Sequence, residues 1–173
     1  DLDLKFSDLD VNEVAESVCE VLGEDYTGDI LCFMSDPTPL EDGLTKQGIH
    51  IYCPDIIVNT QVARQKRDDV VAVLKRKSEH HDWEEWIDSA VYREGQTSSL
   101  RVPYSVKYGK CNCKKKEGLF CENQCKNGRI LINNVYSLKF ISRNNVKEEL
   151  GVVNIENILK RVSIRYEMTI DDK

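Results

Sequence analysis

The sequence predicts an α+β fold in which helices pack on the faces of a mixed or antiparallel sheet. Candidate strands and helices follow one another without the regular βαβ rhythm that predicts a parallel sheet. The 173 residues, of which 40% are hydrophobic and 31% charged, are typical of a soluble globular protein. We therefore expect a single domain by length, with room for a small insertion.

The first third of the chain predicts three strands and one helix. Residues 1–6 predict a strand. They resemble the middle of a strand more than a natural start, so we expect the chain to be a piece of a longer polypeptide. Asp10 caps a helix that ends in the segment 23–28 and whose apolar positions are Val14, Val18 and Leu22. A strand at 30–34, a turn at 36–39 and a strand at 48–58 follow, with Pro54 at an edge, end or bulge of the sheet.

The remainder predicts two helices and several strands. Residues 60–77 form a helix with an apolar stripe made of Val62, Val70, Val73 and Leu74. A tryptophan-rich segment at 82–87 leads into Asp88. The elements expected after it are a short buried segment at 91–92, an extended segment at 100–105, one or two strands in 129–141, a helix at 155–160 and a strand at 162–170.

The charge distribution bears on possible partners. The formal net charge of −6 argues against a protein that simply coats nucleic acid. Between positions 101 and 116, however, the basic residues Arg101, Lys107, Lys110, Lys114, Lys115 and Lys116 occur with no acidic residue among them. This run is either a solvated loop or a rim for binding phosphates. No apolar stretch approaches the roughly 18 residues of a membrane helix, so no membrane association is expected.

The seven cysteines divide into two groups. Cys19, Cys32 and Cys53 stand singly in apolar patterns, where small buried thiols are common. The odd total without a secretion signal pattern predicts an intracellular, reducing compartment. The other four, Cys111, Cys113, Cys121 and Cys125, form two close pairs of soft ligands, which predicts a structural Zn²⁺ site. The alternative is that some of them are free surface thiols. With zinc bound, Lys114, Lys115 and Lys116 lie in the loop that it holds, where they could contact the phosphates of a nucleic acid.

Two aspartates at the start of the chain are candidate metal ligands. Asp1 and Asp3 stand two residues apart in a strand, so their carboxylates project from the same face. Paired carboxylates repel each other unless a cation lies between them, and oxygen ligands suit Mg²⁺ or Mn²⁺. A third carboxylate on a neighbouring strand would complete a two-metal site, and Asp88 follows an apolar stretch that makes it a candidate. The alternative is an ordinary acidic pair at a fraying end.

A second group of residues is suited to binding phosphates. Lys46, Gly48 and His50 alternate along one strand, so a cation, a bare backbone N–H and an imidazole face the same way. Arg101 and Lys107 could hold a triphosphate, with a hydrogen bond from Ser105 between them. The competing interpretations are a buried core histidine and plain surface charge.

Four segments in order give the chain a family resemblance. They are Asp-Leu-Asp-Leu-Lys-Phe from Asp1, Lys-Gln-Gly-Ile-His-Ile-Tyr-Cys-Pro from Lys46, Ile-Asp-Ser-Ala-Val-Tyr from Ile87, and Leu-Arg-Val-Pro-Tyr-Ser-Val-Lys from Leu100. Over residues 1–107 the chain resembles the archaeo-eukaryotic primase superfamily. The likeness is closest to the primase-polymerases and to the primase domains fused to helicases in large eukaryotic DNA viruses.

The resemblance implies a DNA primase or primase-polymerase acting in replication by a two-metal mechanism. It implies that Asp1, Asp3 and Asp88 bind Mg²⁺ or Mn²⁺, and that the nucleotide is bound by Lys46, Gly48, His50, Arg101, Ser105 and Lys107. Relatives often carry Ser where this chain has Gly48, so that hydroxyl contact is absent. The implied fold is an RRM-like catalytic core at 1–108 and 128–173, interrupted by a zinc-binding insertion at 109–127.

The implied partners are a single-stranded DNA template, a primer, NTP or dNTP, and a fused or associated replicative helicase. The viral likeness implies the host cytoplasm as the place where the protein acts. Two other functions stay open: a catalytically inactive, zinc-stapled module that binds single-stranded DNA, and a metal-dependent nuclease. DNA binding that is indifferent to metals and nucleotides distinguishes the first, and activity without nucleoside triphosphates distinguishes the second.

Overall fold

The structure is a computed structural model of the chain and describes residues 1–56, 58–89, 103–105, 107–110, 129–132, 135–148, 150 and 154–162. Within these ranges the strands are β1 (Leu2–Phe6), β2 (Asp29–Met34), β3 (Thr38–Pro39), β4 (Thr45–Tyr52), β5 (Lys107–Lys110), β6 (Arg129–Ile132), β7 (Ser137–Arg143) and β8 (Val146–Glu148). The helices are α1 (Val11–Gly23), α2 (Thr60–Lys77), α3 (Trp83–Trp86) and α4 (Ile155–Val162). The predicted α+β class is confirmed.

The strands form antiparallel pairs throughout the described residues. The main sheet has the order β1-β4-β2-β7-β8. The strand β3 pairs with Thr45 and Lys46, the first two residues of β4. The strands β5 and β6 pair separately, with Lys110 opposite Arg129 at the far end of the ribbon. In this described part of the chain no helix has the length and apolar character needed to cross a membrane.

One face of the sheet is covered by α1, α2 and α3. Their buried side chains pack with Leu2 and Leu4 of β1 and with Ile49 of β4 in a single apolar cluster. Trp83 of α3 is 1% exposed and donates its indole N–H to the carbonyl of Ser78 at 2.8 Å. Burying one large aliphatic side chain contributes about 1.5–3 kcal/mol, so this cluster holds β1 firmly against the helices.

The other face is covered in its centre by α4. Ile158 and Val162 of this helix pack on Leu31 and Phe33 of β2 and on Leu138 of β7. The arrangement confirms the prediction that helices lie on the faces of the sheet. The strands β4 and β1 lie next to β2 in the sheet, beside the cluster that α4 covers. Their polar residues on this second face form the candidate site.

Several element boundaries agree with the sequence. The helix predicted at 60–77 is α2, and the strand predicted at 30–34 is β2. Asp10 caps α1 as predicted: Oδ1 accepts hydrogen bonds from the main-chain N–H groups of Asn12 and Glu13. The segment 129–141 contains two strands, β6 and the greater part of β7.

Other predictions were wrong in identifiable ways. Val62 is 44% exposed because nine residues at about 100° per residue place it opposite Val71, which is 6% exposed and belongs to the buried stripe. The turn predicted at 36–39 contains β3, an edge strand in which Pro39 is tolerated. The strand predicted at 48–58 is β4, which begins earlier and ends at Tyr52, so Pro54 lies beyond its end.

The C-terminal part also differs from the prediction. Val162 belongs to α4 rather than to a closing strand, while 163–170 lies outside the described residues, as do 91–92 and 100–102. The strand β8 was not predicted. It forms a hairpin with β7 through Asn144 and Asn145, whose φ angles of 50° and 60° are typical of a two-residue hairpin turn.

Candidate active site

The candidate site lies on one face of the paired strands β1 and β4. In this pair Asp3 is opposite Gly48, and Lys5 is opposite Lys46. Directly opposed residues project from the same face of a sheet, and successive residues alternate between faces. Leu2 is buried among the helices, so its neighbours in the strand project to the other side. The residues on that other side are Asp1, Asp3, Lys5, Lys46, Gly48 and His50.

Two acidic side chains on this face meet basic ones across the strands. Oδ1 of Asp1 lies 3.1 Å from Nε2 of His50, and Nζ of Lys46 donates to Oδ2 of Asp3 at 2.7 Å. The Asp1–His50 pair is largely enclosed, with side chains 23% and 5% exposed, whereas the Asp3–Lys46 pair is 56% and 34% exposed. Because water and salt screen exposed charges, the Asp3–Lys46 pair is the easier one to exchange for a ligand.

Asp88 lies beside Asp1. Leu2 and Ile87 form an isolated antiparallel bridge, and the main-chain N–H of Asp88 donates to the carbonyl of Asp1 at 3.1 Å. The next pair in that register is Asp1 and Asp88, which share the face opposite to the buried Leu2 and Ile87. The three aspartates singled out from the sequence are therefore brought to one face.

The imidazole of His50 is enclosed by Tyr136. The two rings stack with centroids 3.6 Å apart and planes inclined by 17°, and His50 is 4% exposed. Tyr136 fits over the strand because position 48 has no side chain: a β-carbon on Gly48 would overlap the Tyr136 hydroxyl and lie 2.7 Å from Cζ. The three residues form one packed unit that holds the imidazole beside Asp1.

The main chain of Gly48 bonds within the protein. Its N–H donates to Oγ of Ser35 at 2.9 Å, and its carbonyl accepts from the N–H of Ser35 at 3.0 Å. Ser35 is 2% exposed. The bare N–H expected from the sequence is thus occupied in this structure, and the observed contribution of Gly48 is the space that it leaves for Tyr136.

Ser105 follows a turn that packs on the same face of the sheet. The N–H of Tyr104 donates to the carbonyl of Tyr136 at 2.9 Å, and the Tyr104 hydroxyl accepts from the N–H of Leu138 at 3.2 Å. Tyr104 has a φ of 61°, a left-handed conformation that costs a non-glycine residue about 1–2 kcal/mol. The segment predicted to be extended therefore turns at Pro103 and Tyr104, and Ser105 directly follows the residue that bonds to Tyr136.

Some predicted site residues fall outside this description. Arg101 and the four cysteines Cys111, Cys113, Cys121 and Cys125 lie outside the described residues. Lys107 begins β5, for which the structure describes the backbone. The pairing of Lys110 with Arg129 brings together the two ends of the segment that carries these cysteines.

The three other cysteines are structural. Cys19 and Cys32 are 1% and 0% exposed, which confirms the prediction of small buried thiols, and Cys53 is partly buried. Burial raises the pKa of the Cys19 thiol to about 12 and that of Cys53 to about 11. At neutral pH these thiols stay protonated, so they are poor nucleophiles and poor metal ligands.

Two residues of the site were missed by sequence reasoning. Lys5 continues the alternation of Asp1 and Asp3, so the same pattern places it on their face. Tyr136 carried no such signal, because its stacking on His50 joins positions 86 residues apart in sequence.

The aspartates provide carboxylate oxygens, the donors that Mg²⁺ and Mn²⁺ prefer. Among the described residues, no three Asp, Glu, His or Cys side chains already converge as a metal-binding group. In this structure Asp1 lies beside His50, and Asp3 forms an ion pair with Lys46. The three aspartates fit a hard divalent cation because their ligand atoms are carboxylate oxygens and because they lie on one face of the sheet.

Comparison with known proteins identifies the N-terminal part of the chain. Residues 1–97 match the family described as the C962R protein N-terminal AEP domain. The matched region contains β1, β4 and α3, and with them Asp1, Asp3, Lys46, Gly48, His50 and Asp88. No curated protein and no solved structure is significantly similar to the chain.

Proposed function

Because the chain belongs to the family of the C962R protein N-terminal AEP domain, an archaeo-eukaryotic primase domain, we propose that it is a DNA primase or primase-polymerase. The family membership confirms the resemblance, and three of the four sequence segments that carry it lie within the matched residues, while the segment from Leu100 lies beyond them. The reaction would be template-directed transfer of a nucleotide from NTP or dNTP to a 3′-hydroxyl in DNA replication. The C962R protein is a viral primase-helicase, which supports a fused or associated helicase as partner.

The observation that carries the proposal is the row Asp88–Asp1–His50, flanked by Asp3 and Lys46. Carboxylates for a cation and basic groups for phosphates stand side by side on one sheet face. Phosphoryl transfer needs this combination, because catalysis consists mainly of positioning and of neutralising charge on the phosphates.

In this proposal Asp1, Asp3 and Asp88 hold two divalent cations, Mg²⁺ or Mn²⁺. Bound there, the cations would lower the pKa of the attacking 3′-hydroxyl and neutralise the leaving pyrophosphate. Asp1 is kept next to Asp88 by the main-chain hydrogen bond between them. The protein's contribution is to hold like charges together, at an electrostatic cost that a cation offsets.

Lys46 and His50 would bind the phosphates of the incoming nucleotide. In the free chain Lys46 forms an ion pair with Asp3, and Nε2 of His50 lies 3.1 Å from Oδ1 of Asp1, so both basic side chains are already placed beside the carboxylates. Lys46 is the more exposed of the two and would exchange its partner first. Arg101, Ser105 and Lys107 would complete the triphosphate pocket, with Arg101 suited to bidentate contact and Lys107 to a point-charge contact.

The finer architecture is part of the same proposal. The catalytic core would be RRM-like and would comprise 1–108 and 128–173. The insertion at 109–127 would hold Zn²⁺ through Cys111, Cys113, Cys121 and Cys125. The pairing of β5 with β6 supports an insertion, because it brings the chain before these cysteines next to the chain after them. Its lysines would contact the phosphates of template or primer.

The test is a primer-synthesis assay on single-stranded DNA with Mg²⁺ or Mn²⁺, in the presence and absence of nucleoside triphosphates. We expect products that require both metal and nucleotide, and that disappear in Asp3→Asn. The matched control is Asp8→Asn, an exposed aspartate outside the site, which should leave synthesis unchanged.

Two results would overturn the proposal. Shortening of DNA that needs metal but no nucleotide would assign the carboxylates to a nuclease. DNA binding without synthesis or cleavage, indifferent to metal and nucleotide, would assign the chain to the inactive binding module.

A further inference from the structure

Arg67 of α2 reaches from the middle of its helix to the end of α3. Its Nε and Nη2 donate to the carbonyl of Ile87 at 3.1 and 3.0 Å, and Nη2 also donates to the carbonyl of Glu84 at 2.7 Å. Nη1 pairs with the exposed Asp68 at 3.2 Å. The Arg67 side chain is only 14% exposed, so its contacts with the carbonyls are partly protected from water.

The peptide group between Ile87 and Asp88 is thereby held on both sides. Arg67 binds its carbonyl oxygen, and its N–H donates to the carbonyl of Asp1 at 3.1 Å. A peptide group is planar, so fixing both of its polar ends fixes the orientation of the plane and the direction in which the chain enters Asp88. Ile87, 3% exposed and bridged to Leu2, anchors the other side.

The chemistry of this contact requires arginine. A guanidinium presents several N–H donors in a rigid plane, whereas a lysine ammonium is a single charged point on a flexible stem. The short helix α3 leaves carbonyl groups at its end that need donors. Arg67 satisfies two of them at once, and one of these two is the carbonyl that leads directly into Asp88.

We propose that Arg67 is a positioning residue for the metal-binding carboxylates, acting through Asp88; this inference rests on the proposed function. Arg67 acts through the main chain, because its N–H groups donate to the carbonyls of Ile87 and Glu84. It holds the main chain so that Asp88 stays opposite Asp1 despite the repulsion between the two carboxylates. Losing Arg67 would let Asp88 move away from Asp1 and would weaken cation binding.

A purely structural role would have a different signature. If Arg67 only stabilised α3, its replacement would lower the melting temperature and leave the cation affinity of the folded protein unchanged. Cation affinity measured on folded protein therefore separates the two roles, and it does not depend on catalytic turnover.

The experiment measures Mn²⁺ binding by electron paramagnetic resonance of free Mn²⁺, at a temperature well below each variant's melting transition. The variants are Arg67→Met, which keeps the length of the side chain, and Arg67→Lys, which keeps the charge. Arg76→Met is the matched control, because Arg76 is an exposed arginine of the same helix. Asp88→Asn measures what the loss of the ligand itself costs.

We expect Arg67→Met to raise the Mn²⁺ dissociation constant about 10-fold, as is typical when a group that orients a metal ligand is removed. Arg67→Lys should lie between this variant and the parent, and Arg76→Met should match the parent. An Arg67→Met protein that is folded and binds Mn²⁺ like the parent would overturn the inference alone. A parent chain that binds no Mn²⁺ would overturn the proposed two-metal function and this inference together.

Discussion

Four side chains of the candidate site pair across two strands: Asp3 forms an ion pair with Lys46, and Asp1 lies 3.1 Å from Nε2 of His50. The pairing explains how a sheet face with several charges is stable in the free chain. Under the proposed function, metal and nucleotide would bind together, because each carboxylate released to a cation would free a basic group for a phosphate. The alternation of Asp1 and Asp3 was readable from the sequence, whereas their partners depend on strand register.

Adding a β-carbon at Gly48 tests the packing of Tyr136 over the strand. Gly48→Ala should lower the free energy of unfolding by about 1–3 kcal/mol, because the new methyl group would overlap the ring of Tyr136. The same change in a Tyr136→Leu background should cost much less, since the overlapping hydroxyl and ring are gone. Urea unfolding of the four proteins in this double-mutant cycle measures the difference. Equal costs in both backgrounds would contradict the packing described here.

At the level of elements, helices were easier to predict than strands. The apolar stripe and the basic last turn of α2 are local signals, and its predicted limits match the structure. The short strands β3 and β8 were missed although each pairs with the neighbouring strand in sequence, because two or three residues are too few to show an alternating pattern. The hairpin turn at Asn144 and Asn145 was the one local signal for β8, because asparagine is among the residues that adopt positive φ most readily.

The cap of α1 is a second testable feature. Asp10→Ala should destabilise the protein by about 1 kcal/mol, because two main-chain N–H groups at the start of the helix lose the acceptor Oδ1. Asp8→Ala, two residues earlier and exposed, is the control for the loss of a negative charge. Thermal unfolding of the two variants makes the comparison; equal melting temperatures would rule out a stabilising cap.

At the level of the whole molecule, Asp29 connects three elements. Arg143 of β7 donates to both carboxylate oxygens of Asp29 at 2.6 and 3.0 Å, and Arg161 of α4 donates to Oδ2 at 2.9 Å. These hydrogen bonds, those from Arg143 above all, hold the pKa of Asp29 below its ordinary value of 3.8. The network fastens α4 to the face of the sheet that carries the candidate site.

This network predicts a pH-dependent stability. Since the pKa of Asp29 is lower in the folded state, its contribution is present above pH 3.8 and is lost as the pH falls through the folded-state pKa. Arg161→Met should therefore cost about 1.5 kcal/mol at pH 7, and the cost should shrink below pH 3.8. Lys160→Met, which breaks the exposed pair with Glu156, is the control and should cost less than about 0.5 kcal/mol. A cost for Arg161→Met that is the same at pH 7 and pH 2 would contradict the assignment.

The candidate site itself was predictable only in part. The residue types and the alternation in β1 and β4 are enough to indicate Asp1, Asp3, Lys46 and His50 from the sequence alone. The position of Asp88 next to Asp1 was expected from a family likeness, and it depends on how Trp83, Arg67 and Ile87 seat α3 against β1. The stacking of Tyr136 on His50 and the hydrogen bonds from Arg67 to the Ile87 carbonyl are tertiary contacts, which the periodic patterns of the sequence do not encode.

The most direct measurement is single-turnover primer extension on single-stranded DNA with Mn²⁺, comparing the parent chain with Asp88→Asn and Glu85→Gln. Glu85 is an exposed carboxylate three residues before Asp88, so it controls for the loss of charge near the site. We predict that extension falls at least about 100-fold in Asp88→Asn, on the scale of removing one group that stabilises transition-state charge, and is unchanged in Glu85→Gln. Extension by Asp88→Asn at the parent's rate would contradict a catalytic site built on Asp1, Asp3 and Asp88.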